Sequence, residues 1–589
     1  MLEPRHTPWL EPWLEPWLEP WLEPWLEPWL EPAWALLSWL CCAAAPLLAF
    51  LHAALAPLSY WGRRWEDVEA VEEDGAGPGA ALDPVWLSDE ARALPLLGSF
   101  PSFLLGGASF QAELAALHQR YAARARAGGE APGAVGLFEW RARPCVLLLD
   151  PGLVARVLGA DAAFFEESGS RGLGAGVPPA LWPRLSPLLR AGSVEATARL
   201  MAECAEQLAQ SLAERAAAGL VDVEMLGALD RFSTGVVGAC AFGVPGNCVQ
   251  DPSWELHRVV AAARRPSPLS LLALAAVTAL PSAAALVPAR LLYPAATSFY
   301  VDMLRETAAF RERTRTRRAD FVDLMSSTGA ALERELSFLT AKDRRRHCAL
   351  AYDVVAAQAY ALPSTARAPR VLARCLRELA RRPELQRRVA QEVRAARRPD
   401  QPLGLQVLQR SPLLEQVLLE ALRLEPPCGA LRTVVGAAGY SLAVRGPRRG
   451  LRLAPGTRLY VSVSGLHADP VRYPSPSRFD PDRFSAEARR ARSPGAYLPF
   501  GELPGGGGGG GPEGLDLDLD LALASWAASG LPSPAATTAS LFALQEMALC
   551  LAALLADLQF TVSPDSGDRP GQTWLRVQRR PSDGDLVEA

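Results

Sequence analysis

The chain has 589 residues, 49% of them hydrophobic and 21% charged, and its 60 basic and 64 acidic side chains leave a net charge of −4. That length makes two or three average domains or one very large one. The slight acidity excludes the basic footprint of a nucleic-acid-binding protein, and this much apolar material excludes a disordered acidic chain.

Lys342 is the only lysine, Asn247 the only asparagine, and isoleucine is absent. All three use AT-rich codons, so a GC-biased coding region explains the skew and also favours runs of Gly, Pro, Ala and Arg. The ten cysteines form no C-x-x-C pair and no zinc-type cluster with histidine, which reads as reduced, cytosol-facing thiols.

Residues 1–32 are a low-complexity tail, with six copies of Trp-Leu-Glu-Pro over residues 9–32. Proline at every fourth position forbids a helix there. An aromatic segment at a bilayer interface is one reading; a repeat expansion without a role is the preferred one. Residues 33–57 are predicted to be a transmembrane anchor. Ala33 to Leu55 carries no formal charge, and about 20 apolar residues cross the hydrocarbon core. The acidic tail before the span is wrong for a cleaved signal peptide. Arg63 and Arg64 after it place the carboxy-terminal bulk in the cytosol. Residues 58–90 read as a linker and 563–589 as a tail. A second apolar stretch, Leu269 to Ala289, is interrupted by Pro281 and Pro288, and is expected to be a membrane-dipping or core segment rather than a second span.

Between residues 91 and 562 the pattern is mainly helical. Apolar residues recur at three- and four-residue spacing over Ala112–Arg126, Val194–Ala218, Asp302–Arg318, Val371–Arg397 and Ser411–Leu424. Strand-like stretches are short, Cys145–Leu149 and Arg458–Val463. The expected fold is mainly α with a small β region.

Two constellations stand out. Glu420 and Arg423 lie three apart on a helix whose apolar stripe is Leu414, Val417, Leu418, Ala421 and Leu422. They share a face and can pair, although most such pairs are only a solvated helix surface. The second is the turn Phe479-Asp480-Pro481-Asp482-Arg483-Phe484. A buried Glu-Arg-Arg cluster is a strong structural device, because guanidinium forks satisfy a desolvated carboxylate from two sides. Loss of Arg483 is therefore expected to prevent folding.

E-x-x-R, then Arg483 in an F-x-P-x-R-F turn, then Tyr497-Leu498-Pro499-Phe500-Gly501 is the order of the cytochrome P-450 superfamily, which this chain resembles. Gly465-Leu466-His467-Ala468-Asp469-Pro470 and Ser485-Ala486-Glu487-Ala488-Arg489 are similar to its endoperoxide-isomerising branch and that branch's drug-metabolising microsomal relatives. Asp150-Pro151, Arg231-Phe232-Ser233-Thr234 and Ala543-Leu544-Gln545-Glu546-Met547 add to the likeness.

The resemblance implies a P-450 fold preceded by one transmembrane helix, single-pass in the endoplasmic reticulum membrane with its catalytic domain facing the cytosol. It implies haem as cofactor, an apolar or fatty-acid-derived substrate, a reductase partner if the chemistry is monooxygenation, and no nucleic acid. Glu420, Arg423 and Arg483 would form the cluster behind the haem. Trp182, Arg432, Phe500 and Gly501 would contact the cofactor, Arg432 at a propionate.

The chain departs from that pattern at the haem loop, F-x-x-G-x-R-x-C-x-G in the family, whose cysteine thiolate ligates the iron. Counting from Phe500 puts the cysteine at Gly507, within seven glycines; counting back from Phe542-Ala543 puts it at Thr537. Residues 503–536 read as a low-complexity insertion between the two counts, and no metal ligand is assigned. The family's W-x-x-x-R would start at Trp182 and ends on Ser186. The oxygen-side helix after Ala357 runs two residues short, with no acid before Thr365. A monooxygenase needs an acid–alcohol pair there; an endoperoxide isomerase does not. Two functional expectations follow: a membrane-anchored haem isomerase or monooxygenase, or a haem-free P-450 fold with no catalysis, produced if a coding segment is mis-joined.

Overall fold

The computed structural model describes residues 85–89, 99–100, 109–126, 133–139, 143–166, 194–243, 257–259, 294–316, 368–397, 403–404, 406–407, 410–445, 450–500, 534–564 and 572–580. The tail, the anchor, the apolar stretch 269–289, Trp182, Thr365, Gly501, Gly507 and most of the 503–536 insertion lie outside them. No helix among the described residues is long and apolar enough to cross a membrane.

The helices in chain order are α1 (Phe110–Arg126), α2 (Pro151–Leu158), α3 (Val194–Arg215), α4 (Met225–Val237), α5 (Pro294–Thr314), α6 (Ala368–Ala380), α7 (Pro383–Ala396), α8 (Pro412–Leu424), α9 (Val463–His467), α10 (Ala486–Ala491) and α11 (Pro534–Asp557). A π-helical turn, Gly238–Phe242, extends α4. The predicted run Val371–Arg397 is two helices. Pro383 sits in the first turn of α7, where its missing N–H and fixed φ are tolerated, and Arg382 leaves helical geometry before it.

Local chemistry explains where several helices start. Asp150 caps α2 by accepting from the Leu153 N–H at 2.9 Å, with Pro151 following. Glu224 does the same for α4 at Leu226 and Gly227. At α8 the preceding Ser411 makes no cap. Glu392 of α7 reaches across instead and accepts from the N–H groups of Leu413 and Leu414 at 3.1 Å.

The β region is small beside the helices, as expected, with more strands than the two stretches read from the sequence. Its strands are β1 (Val85–Asp89), β2 (Ala134–Glu139), β3 (Arg143–Leu148), β4 (Phe165–Glu166), β5 (Val221–Glu224), β6 (Leu431–Val435), β7 (Tyr440–Arg445), β8 (Gly450–Leu453), β9 (Arg458–Val461), β10 (Leu558–Val562) and β11 (Trp574–Arg579). Among the described residues, eight of them form one sheet in the order β4-β6-β9-β3-β2-β1-β7-β8, and a second sheet has the order β10-β11-β5. β3 runs parallel to β9, from Cys145 opposite Arg458 to Leu148 opposite Val461, and Cys145 to Leu149 are all buried. A short apolar run buried on both faces is how a central parallel strand reads in sequence.

One large core gathers α3, α4, α6, α7, α8 and α11. Every side chain from Leu544 to Ala556 of α11 is buried, the mark of a central helix. α8 packs on this core through the predicted stripe of Leu414, Val417, Leu418, Ala421 and Leu422.

Candidate functional site

Because Leu422 and Ala421 fix which side of α8 faces the helices, Glu420 and Arg423 turn toward the segment 467–484. Both are fully buried: their side chains are 0% and 1% exposed. Arg423 grips Glu420 with two parallel bonds, Nε to Oε2 at 2.7 Å and Nη2 to Oε1 at 2.8 Å. Its remaining donors reach the carbonyls of His467 and Pro476, each at 2.7 Å. The other side of the carboxylate takes the Asp480 N–H at 3.0 Å. This is a desolvated ion pair with its lone pairs satisfied, the condition under which burial is tolerated.

Arg483 stands further from the carboxylate. Its Nε is 3.7 Å from Glu420 Oε1, its side chain is 13% exposed, and it hydrogen-bonds the carbonyls of Pro474 and Ser475. Arg423 closes the cluster and Arg483 braces the turn beside it. Arg483 thus joins the cluster as expected, as a longer-range partner of Glu420 beside the two-pronged Arg423.

His467 is the residue whose role was not foreseen. The carbonyl of Arg423 lies 3.1 Å from Nδ1, so Nδ1 carries the proton and donates, and Nε2 accepts from the Leu498 N–H at 3.0 Å. The ring stacks on Tyr497 with centroids 5.1 Å apart. Burial holds this imidazole down to about 3, so it stays neutral. It thereby ties the end of α8 to the segment before Phe500. That segment is pinned further by Tyr473 Oη to Ala496 O at 3.1 Å, Tyr497 Oη to Leu419 O at 2.8 Å, and the Cys428 N–H to Pro499 O at 3.1 Å. Gly495 makes the approach possible: its φ is +75°, and a Cβ there would collide with the Pro151 carbonyl oxygen.

Phe500 ends this segment, packed against the helical core. Arg432 stands exposed on β6, paired in register with Tyr460 of β9. The structure thus brings Glu420, Arg423 and Arg483 together and positions Phe500 at the exit from the cluster. Arg432 lies on the neighbouring sheet, and Trp182 and Gly501 fall outside the described residues.

A helix-rich body, a mixed sheet and a buried E-x-x-R pair locked to a downstream turn are consistent with a cytochrome P450 fold. Residues 365–502 match the cytochrome P450 family model. The chain is 33% identical over 261 residues to the probable cytochrome P450 6a13 of Drosophila melanogaster, covering 44% of this chain and 49% of that protein. It is 39% identical over 127 residues to thromboxane-A synthase of Sus scrofa, covering 21% of this chain and 22% of that enzyme. For thromboxane-A synthase of Mus musculus the values are 44% over 93 residues, 16% of each. The chain spans about half the length of the first of these relatives and less of the others.

Members of this family bind haem through a cysteine thiolate, and the cysteines among the described residues do not fit that role; Cys41, Cys42, Cys248 and Cys348 lie outside them. Residues 501–533, between Phe500 and α11, contain no cysteine and no histidine. Cys550 is buried among the core side chains of α11, and burial pushes its thiol well above the ordinary range. Burial likewise pushes Cys204 up to about 12 and raises Cys240 and Cys375. Cys145 is interior to β3, and Cys428 Sγ lies 3.4 Å from the Ala430 carbonyl. Thiols kept protonated in apolar cores are poor metal ligands.

Proposed function

We propose that this chain is a membrane-anchored P450 of the kind represented by thromboxane-A synthase and the microsomal P450s, and that with this amino-acid sequence it is a haem-free fold without catalysis. The observation that carries the reading is the contrast at Phe500. Up to that residue the cluster is complete, with Glu420 and Arg423 buried and paired and Ala496 to Pro499 held by four hydrogen bonds. Beyond it the sequence supplies glycines and alternating Leu and Asp where a sulfur donor belongs.

That the missing sulfur donor falls in one segment, between the pinned segment ending at Phe500 and the fully buried part of α11, favours a second form. A transcript whose segment 501–533 carried the F-x-x-G-x-R-x-C-x-G loop would encode a haem enzyme in the endoplasmic reticulum membrane, acting on an apolar, fatty-acid-derived substrate. Arg432 and Trp182 would then stand beside the cofactor. With no acid before Thr365, isomerisation of the prostaglandin H2 endoperoxide to thromboxane A2 fits this chain better than reductase-dependent monooxygenation.

The test is to replace residues 501–533 with that loop and express the chain in membranes. The expected outcome is haem uptake by the replaced chain and thromboxane A2 formation from prostaglandin H2 without a reductase. Failure of the restored chain to bind haem would refute the claim that the missing sulfur donor is what keeps haem out. Turnover of an apolar substrate only with NADPH and a reductase would move the assignment to monooxygenation.

A further inference from the structure

Away from Phe500, the large helical core holds an acid with no part in that chemistry. Glu546 projects from the buried part of α11 and is 1% exposed. Its carboxyl accepts a hydrogen bond from Ser233 Oγ of α4, itself buried. A carboxylate in such a place ordinarily faces a guanidinium or an ammonium; the groups Glu546 influences electrostatically are the thiols of Cys204, Cys240 and Cys550.

The elements packed near it contribute mostly neutral or engaged groups, and α4 also carries Asp230 and Arg231 on either side of its buried stripe, with Arg231 Nε buried without a hydrogen bond. α3 presents Cys204, with Glu203 beyond it paired to Arg199 at 3.3 Å. The π-helical turn after α4 presents Cys240. α6 presents Cys375, next to Arg374, which pairs with Glu378 at 3.0 Å. α11 itself adds Cys550 one turn on. α7 touches α11 at its far end, where Arg394 holds the Ala556 carbonyl at 2.7 Å and Arg397 lies 3.8 Å from Asp557. On α8, Glu420 and Arg423 satisfy each other.

We infer that Glu546 is a proton-held latch between α11 and α4: neutral, it fits the buried site beside Ser233, and ionised, it is a desolvated charge with one hydroxyl donor, which weakens the packing of α11 on α4. With one hydroxyl for company and no cation paired with it among the described residues, the neutral acid is the form this site accommodates. Burial raises the Glu546 carboxyl from 4.5 to about 7, against a smaller opposite pull from the Ser233 hydrogen bond. Between those two values the folded chain holds a proton that the unfolded chain has released. This contribution to stability is therefore complete below about 4.5 and is lost as pH rises through about 7.

The test is the unfolding equilibrium of the full chain in detergent between pH 6 and 8, for wild type and for Glu546→Gln, which mimics the neutral acid. Comparing the two cancels His118 and His467, which titrate in both. The folding constant of wild type relative to Glu546→Gln is expected to fall about tenfold from pH 6 to pH 8. In Ser233→Ala the fall is expected at higher pH, because the hydroxyl that steadies the anion is gone. Parallel wild-type and Glu546→Gln profiles across this range would overturn the latch. Should Glu546→Gln fail to fold, infrared difference spectra of wild type decide instead. A protonated-carboxyl C=O band that disappears between pH 6 and 8 supports the proposal, and its absence at pH 6 refutes it.

Discussion

Replacing Arg423 with alanine is the perturbation whose cost can be worked most fully from the geometry. The substitution strips a fully buried carboxylate of both bonds from its bidentate partner, and breaking a buried pair from one side costs about 3–5 kcal/mol. It also removes the donor for the carbonyls of His467 and Pro476, at about 1–3 kcal/mol for each that stays unsatisfied. Set against a total stability of about 5–15 kcal/mol, the expected result is a chain that does not accumulate folded, or one whose segment 467–484 is cleaved rapidly by protease. Arg423→Lys restores the charge but only one bond direction, and should fall between wild type and alanine. Adding Glu420→Gln to Arg423→Ala should recover about 1–3 kcal/mol, because the orphaned charge is then gone. Denaturant unfolding of detergent-solubilised protein, followed by tryptophan fluorescence, measures all of these. If Arg423→Ala unfolded within about 0.5 kcal/mol of wild type and showed no coupling to Glu420→Gln, the cluster would not be what holds this region together.

Two further outcomes follow from the same geometry. Arg483→Ala should cost only about 1–2 kcal/mol and leave the chain folded, since Arg483 is partly exposed and Glu420 keeps Arg423; failure to fold in the same unfolding assay would restore it to equal rank. His467 and His118 are held by burial at about 3 and about 4 against an ordinary 6.5, so unfolding takes up protons that the folded state refuses. Each histidine should therefore weaken the fold by about 1.4 kcal/mol per pH unit as pH falls from about 6.5 toward 4. His467→Gln should lower that acid slope by one such increment, and an unchanged slope would place the acid sensitivity elsewhere.

Sequence periodicity revealed the helical core well, because the apolar stripe from Leu414 to Leu422 and the long apolar run of α11 report burial directly. The Glu420–Arg423 pair was visible as a motif, but whether it was solvated or buried depended on segment 467–484 closing over it. The break at Pro383 was hidden because the three- and four-residue spacing continues on both sides of it. Most strands of the eight-stranded sheet went unread for a different reason. Its strands are short, and parallel neighbours such as β3 and β9 lie roughly three hundred residues apart, so no local pattern announces their pairing. His467 and Glu392 act through backbone groups of distant segments, Leu498 in one case and the start of α8 in the other. Nothing in their sequence neighbourhoods specifies such partners.

The proposed reading is a P450-like fold with its E-x-x-R cluster intact up to Phe500 and no sulfur donor in residues 501–533. The most direct measurement is a carbon-monoxide difference spectrum of the unaltered chain, expressed in membranes with haem supplied and reduced with dithionite. The predicted result is no thiolate-type Soret band and no haem retained on purification. A stable thiolate band from this same polypeptide would contradict it.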